Sequence, residues 1–261
     1  MILLSFDIEE FDLPFEYNKS IDFNDQINIS IEGTKAILSI LKKYNVKATF
    51  FSTATFAINA SEVIKQIVDE GHEIASHNYY HSSFEVAHLK LSREKLNELT
   101  GQEIVGFRMP RMQPVDEIEI FKAGYTYNSS LNPTFIPGRY NNFNKPRTFF
   151  KEKRVLQIPA SVSPFIRFPL FWLSFHNLPL SIYKFLCKQT LKKDGYLNLY
   201  FHPWEFTNLN QPDRFNFPKY VSKNSGTSMI ERMDSFINWL TNQNYNLVTF
   251  KEFISEIEKQ S

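Results

Sequence analysis

Short apolar runs alternate with helix-period segments from one end of this 261-residue chain to the other. Ile2–Phe6, Ala48–Phe51, Glu73–Ser76, Val105–Arg108, Val155–Ile158, Tyr196–Phe201 and Leu247–Phe250 read as strands. Asn28–Tyr44, Ser61–Glu70, Ser83–Leu99, Pro114–Ala123, Leu180–Lys193, Ser228–Asn242 and Lys251–Lys259 read as helices. In the first helix Ile29, Ile31, Ala36, Ile37, Ile40 and Leu41 fall near a 3.6-residue period, and Gly71, Gly101 and Gly124 stand where three of the later helices stop. Strands separated by helices imply βαβ units and a parallel sheet. Seven or so such strands predict a closed or nearly closed barrel, with an open doubly wound sheet as the alternative. In either architecture the chemistry belongs at the carboxyl ends of the strands. A chain of this length commonly forms one such domain, and residues 1–261 are read as one.

Composition narrows the partners. Lys and Arg number 29 against 28 Asp and Glu, a net charge of +1, which makes no electrostatic case for nucleic acid or an anionic membrane. Cys187 is the one cysteine, so an intrachain disulfide and a multi-cysteine metal site are excluded, in keeping with a reducing compartment. Asp7 interrupts the N-terminal apolar run, no signal peptide is read, and no transmembrane segment is expected; the expected location is the cytoplasm.

Four strand ends present polar groups. The first strand runs into "SFDIEEFD", with Asp7, Glu9, Glu10 and Asp12 within six positions. Alternation along a strand places Asp7 and Glu9 on one face and Ile8 on the other. "GHEIASHNYYH" places His77 and His81 four residues apart after another strand, a common divalent-metal spacing, although loop histidines bonded to backbone or water are the plain reading of that pair alone. Two histidines and one carboxylate make a facial metal site with open positions. "VGFRMPR" ends a third strand at Arg108, which can clamp a carboxylate or lie on the surface. "YLNLYFHPWEF" ends a fourth at His202, with Pro203 and Trp204 to fix and shield it. The joint pattern suits metal-assisted hydrolysis better than any part of it does.

In this order the motifs resemble those of the polysaccharide deacetylases (carbohydrate esterase family 4, the NodB-homology domain). "SFDIEEFD" is similar to the first motif and "VKATFFSTATF" to the strand after it. "GHEIASHNYYH" resembles the histidine motif, "GFRMPR" the arginine motif, "GYTYNSSLNP" the fourth and "LYFHPWEF" the last, covering roughly residues 1–206. The likeness looks nearest to a subgroup with a D-x-E-E opening and an H-P-W-E ending. It implies an α/β fold, the distorted (β/α)7 barrel of the polysaccharide deacetylase type, and a divalent metal, zinc first, with cobalt, manganese or nickel as alternatives. It also implies hydrolysis of N-acetyl groups on an amino-sugar-containing saccharide, in polysaccharide or glycoconjugate biosynthesis. By the same resemblance Asp7 is the general base, His202 the general acid and Arg108 the residue that holds Asp7. His77 and His81 are metal ligands. The candidate substrate contacts are Arg111, whose backbone N–H suits an oxyanion hole, Trp204 and Asn128.

The chain departs from the family pattern in three places. Ile8 stands where most relatives keep a metal-binding aspartate, so Glu9 is expected as the carboxylate ligand, with Glu10 as the alternative. Asn128 stands where an aspartate is usual, and Arg111-Met112 replaces an aromatic-glycine ending. The aromatic, proline-interrupted stretch 163–180 reads either as an insertion at the mouth of the site or as core around a short helix. The expected partner is an N-acetylated saccharide, free or lipid- or nucleotide-linked; the oligomeric state is open. Another C–N hydrolase on the same scaffold and a glycan-binding relative without activity are the competing readings.

Overall fold

The structure is a computed structural model and describes residues 1–259. Its strands are β1 (Ile2–Ile8), β2 (Thr49–Ser52), β3 (Glu73–Ser76), β4 (Gly106–Phe107), β5 (Tyr127–Asn128), the hairpin β6 (Phe135–Ile136) and β7 (Tyr140–Asn141), β8 (Phe150–Glu152), β9 (Val155–Gln157) and β10 (Leu197–Phe201). The main sheet runs β10-β1-β2-β3-β4-β5-β9-β8. Its pairings are parallel from β10 through β9, and β8 lies antiparallel on β9. Seven parallel strands therefore form the curled wall that the alternation predicts. Parallel strands are covered on both faces, so β1 reads as a nearly unbroken apolar run and is buried from end to end.

The helices are α1 (Phe23–Lys43), α2 (Ala54–Asn59), α3 (Ser61–Asp69), α4 (Val86–Thr100), α5 (Glu117–Lys122), α6 (Trp172–Asn177), α7 (Leu180–Asp194), α8 (Pro212–Phe215), α9 (Lys219–Ser222), α10 (Thr227–Asn242) and α11 (Phe250–Lys259). Ile2, Leu4, Phe6 and Ile8 face the helices and belong to the large outer core. The alternate positions face inward. Register sets Asp7 beside Phe51 and Phe51 beside Ala75. Leu3, Phe51, Ala75, Tyr127 and Ile158 fill the interior together with Phe250 and Phe253 of α11, which plug the amino-terminal end.

The seam between β9 and β10 is closed by single bonds instead of a ladder. Ser161 N–H donates to the Asn198 carbonyl at 2.9 Å. The Asn198 amide reaches the carbonyls of Ile158 and Pro159 at 3.0 and 3.1 Å and Ser129 Oγ at 3.1 Å. One buried side chain thus joins three segments whose polar groups would otherwise be orphaned.

Three local readings differ from the structure. Leu247–Phe250 is not a strand: Leu247 forms one bridge with Ile2, and Phe250 opens α11. The reason is a capping box, in which Thr249 N–H donates to Glu252 Oε2 at 2.8 Å and Glu252 N–H to Thr249 Oγ1 at 3.2 Å. Tyr127–Asn128, read above only as part of a motif, is the strand that completes the seven. Two residues are too short for a periodicity signal. The first helix starts at Phe23, five residues before the expected Asn28, because Asp22 caps it by accepting from Asp25 N–H at 3.0 Å.

α1 lies against the turn Pro203–Phe206 that follows β10. A Cβ on Gly33 would stand 1.8 Å from the Pro203 carbonyl oxygen. This contact is open only to glycine. Gly33→Ala is expected to force α1 and the turn apart, at about 1–3 kcal/mol of overpacking, read as a lowered urea midpoint at unchanged m-value.

Candidate active site

Asp7, Glu9, His77, His81, His202 and Trp204 line one cavity of about 360 Å³. It lies at the carboxyl ends of β1, β3 and β10. His77 directly follows β3, and its N–H donates to the Ser52 carbonyl at 2.7 Å, which continues the ladder by one residue and fixes the direction of the ring. His81 lies in the loop beyond it.

Glu9, His77 and His81 each offer one ligand atom within 4.8 Å of the other two. Glu9 Oε2 lies 3.1 Å from His77 Nε2 and 3.0 Å from His81 Nε2. These approaches are misaligned for hydrogen bonding, and Oε2 is buried without a hydrogen-bond partner. The far side of each ring is fixed. His77 Nδ1 lies 2.9 Å from the Arg108 carbonyl. A carbonyl only accepts, so Nδ1 carries a proton and Nε2 is the ring nitrogen turned inward. His81 Nδ1 bonds Asp12 Oδ1 at 2.8 Å, and Arg111 Nη2 holds both Asp12 oxygens at 3.1 and 3.0 Å. Two imidazole nitrogens and one carboxylate oxygen with no other bond fit a divalent cation of the zinc type.

The electrostatics favour positive charge at this spot. Burial works against a charge on His81, but Glu9, with Asp12 bonded behind the ring, outweighs it and pushes the pKa up to about 10. Burial likewise works against the Glu9 carboxylate, yet the charge on His81 and the close rings of His77 and His81 hold its pKa well below the usual range. Glu10, the alternative ligand, points elsewhere: its Oε2 accepts from Thr53 Oγ1, which also caps α2. Ile8 is buried on the helix-facing side.

Arg108 is the largest fully buried side chain. Its Nη1 meets Asp7 Oδ1 at 2.5 Å, and its Nε and Nη2 bond the Ser129 carbonyl and hydroxyl at 3.1 and 3.0 Å. The guanidinium lies 3.9 Å from the centre of the Phe51 ring. His202 Nε2 stands 4.0 Å from Asp7 Oδ2, and its ring stacks on Trp204 at 4.6 Å. The Trp204 indole N–H donates to Glu9 Oε1 at 3.3 Å, which links the two halves of the site.

The remaining candidate contacts divide. Arg111 lines the cavity with its backbone in the left-handed region, φ 57°. Asn128 lines a neighbouring cavity of about 550 Å³ that shares Arg111, Arg139 and Tyr140 with the first. Its side chain bonds Gln157 at 3.1 Å and accepts from Ser130. The stretch 163–180 takes both of the roles expected for it. Phe171, Trp172 and Leu173 line the site cavity, Leu170 and Phe175 are core, and Phe165 and Ile166 stand 94% and 71% exposed. Asp12, given no catalytic or ligand role in the sequence reading, is the partner of His81. Glu205 and Trp172, both against His202, carried no role in the sequence reading; the three-residue spacing of "HPWE" is the one signal for Glu205.

The polysaccharide deacetylase family profile matches residues 20–127. Over that stretch the chain is similar to the polysaccharide deacetylases. A peptidoglycan deacetylase from Helicobacter pylori is 32% identical over 108 residues, covering 38% of this chain and 37% of that protein. The chain spans about a third of the length of the curated relatives it matches, 32% and 37% for the first two. Two solved structures show the fold. One, from Pseudomonas aeruginosa PAO1 and titled a "probable polysaccharide deacetylase", has a TM-score of 0.69 at 16% identity over 98% of this chain and 89% of its own. The other, Puue allantoinase, has a TM-score of 0.66 at 15% identity over 96% and 87%. Among the described residues, no helix is long and apolar enough to cross a membrane.

Arg108→Met leaves the Asp7 carboxylate buried and unpaired, at an expected cost of about 3–5 kcal/mol. In a urea double-mutant cycle with Asp7→Asn the two losses should be strongly non-additive. Simple additivity would mean that the pair is not coupled.

Proposed function

We propose that this chain is a metal-dependent hydrolase that removes N-acetyl groups from an amino-sugar-containing saccharide. One observation carries the reading: the orphaned Glu9 Oε2 faces two fixed imidazole nitrogens in the cavity that also holds Asp7 and His202. The peptidoglycan deacetylase likeness supports the substrate class. Glu9, His77 and His81 would hold the cation, zinc first. When bound, it supplies Lewis acidity, activating water and polarising the acyl oxygen.

The side chains divide the proton transfers. Arg108 pairs with the Asp7 carboxylate and orients it, and Asp7 takes the proton of the attacking water. His202 faces Asp7 across the cleft and delivers a proton to the leaving amine. Burial opposes a charge on His202, but the bond from Glu205 and the carboxylates of Glu9 and Asp7 outweigh it, so its pKa is raised. A raised pKa favours the protonated form that an acid needs. The Arg111 backbone and the Trp204 ring border the space left for the sugar.

Two measurements test the reading. Titration calorimetry with zinc should show binding in wild type and Glu10→Ala and its loss in Glu9→Ala; binding retained in Glu9→Ala excludes this ligand set. Zinc-loaded protein should release acetate from N-acetylglucosamine oligomers, and Asp7→Asn should cut kcat by about 10²–10⁴ while binding zinc normally. No acetate release from any N-acetylated saccharide by the loaded wild type would overturn the activity.

A further inference from the structure

His202 is held from behind by groups that take no proton in the mechanism above. Glu205 stands three residues on, at the far end of the turn Pro203–Phe206, and is fully buried. Its Oε1 accepts the His202 backbone N–H at 2.6 Å and lies 3.1 Å from His202 Nδ1. A carboxylate there keeps the proton on Nδ1 and leaves Nε2 as the atom that faces the cleft. Glu205 Oε2 has no hydrogen bond. It lies 3.4 Å from Nε2 of His176, a buried residue of α6 whose two ring nitrogens are also unpartnered. Orphaned polar atoms of opposite character this close in a dry interior are a pair one small rotation short of bonding. From the same helix, Trp172 sets its ring edge-on to His202 at 5.6 Å.

We propose that Glu205 is the positioning carboxylate of His202, with His176 closing its far oxygen, so that α6 and the chain His202–Glu205–His176 hold the acid in register. Asn128 takes no part, being turned to Gln157 and Ser130. The word acid rests on the proposed deacetylase reading; the positioning does not.

The charges are consistent with this. Burial raises the pKa of Glu205 and His202 pulls it back. Burial, with the charges of Arg232 and His202, lowers His176 to about 4, so it stands neutral as an N–H donor. The groups that face His202 are Asp7 on β1 and Glu9 just beyond it, Glu205 on its own turn, His176 on α6 and the ring of Tyr200 on β10.

The test is side-chain nitrogen NMR on the full chain labelled at histidine, metal-free and zinc-loaded. Wild-type His202 should show the Nδ1–H tautomer when neutral, and its midpoint should fall by about one unit or more in Glu205→Gln, which keeps an acceptor and loses the charge. Glu205→Leu should release the tautomer. His176→Phe should move the midpoint the same way by less. In acetate release, Glu205→Gln should lower kcat and shift the alkaline limb of its pH profile downward, because a weaker-held proton is lost earlier. An unmoved midpoint in Glu205→Gln, with amide spectra showing a native fold, overturns the proposal; an unmoved midpoint in His176→Phe overturns its His176 arm. If the midpoint shifts but no saccharide yields acetate, the positioning stands and the deacetylase reading falls.

Discussion

The buried pair of Arg108 and Asp7 is the interaction on which the site depends. Arg108 reaches Asp7 on β1, Ser129 just beyond β5 and, through its backbone carbonyl, the ring of His77 just beyond β3. A guanidinium with no access to water needs every donor occupied, and its partners therefore have little freedom. One residue at the end of a two-residue strand thus sets the proposed base, one proposed ligand and the spacing of three strand ends.

Around this pair the cleft is built from groups that are costly to bury. Glu9, Asp12, Asp7 and Glu205 place four carboxylates in the interior, answered by Arg108, Arg111 and three histidines. Such an arrangement is weak evidence for stability, since desolvation offsets most of what the attractions contribute. Its physical sense is a preset field: oriented imidazoles and charged carboxylates need no reorganisation when a cation and an amide arrive. The aromatic rings of Trp172, Trp204 and Tyr200 exclude water from the proposed acid and strengthen that field.

Much of this was legible beforehand. Alternation along β1 separated Asp7 and Glu9 from Ile8, and the structure places Ile8 in the helix-facing core and Glu9 against the histidines. The alternation of strands and helices led to the seven-stranded barrel. What escaped was short or nonlocal. β5 is two residues long, below any periodicity signal. The partnership of Asp12 with His81 spans 69 positions, and that of Glu205 with His176 joins a turn to a helix in an aromatic stretch that read two ways.

The sequence by itself determined which side chains end on strands and which face of β1 each takes, because those follow from covalent geometry and a two-residue period. The tertiary structure decided which groups meet. Strand order, register and the seam at Asn198 bring residues 7, 77, 108 and 202 to one rim. Whether a carboxylate finds an imidazole, an arginine or a threonine depends on the distances those long-range contacts set, and no local pattern carries them.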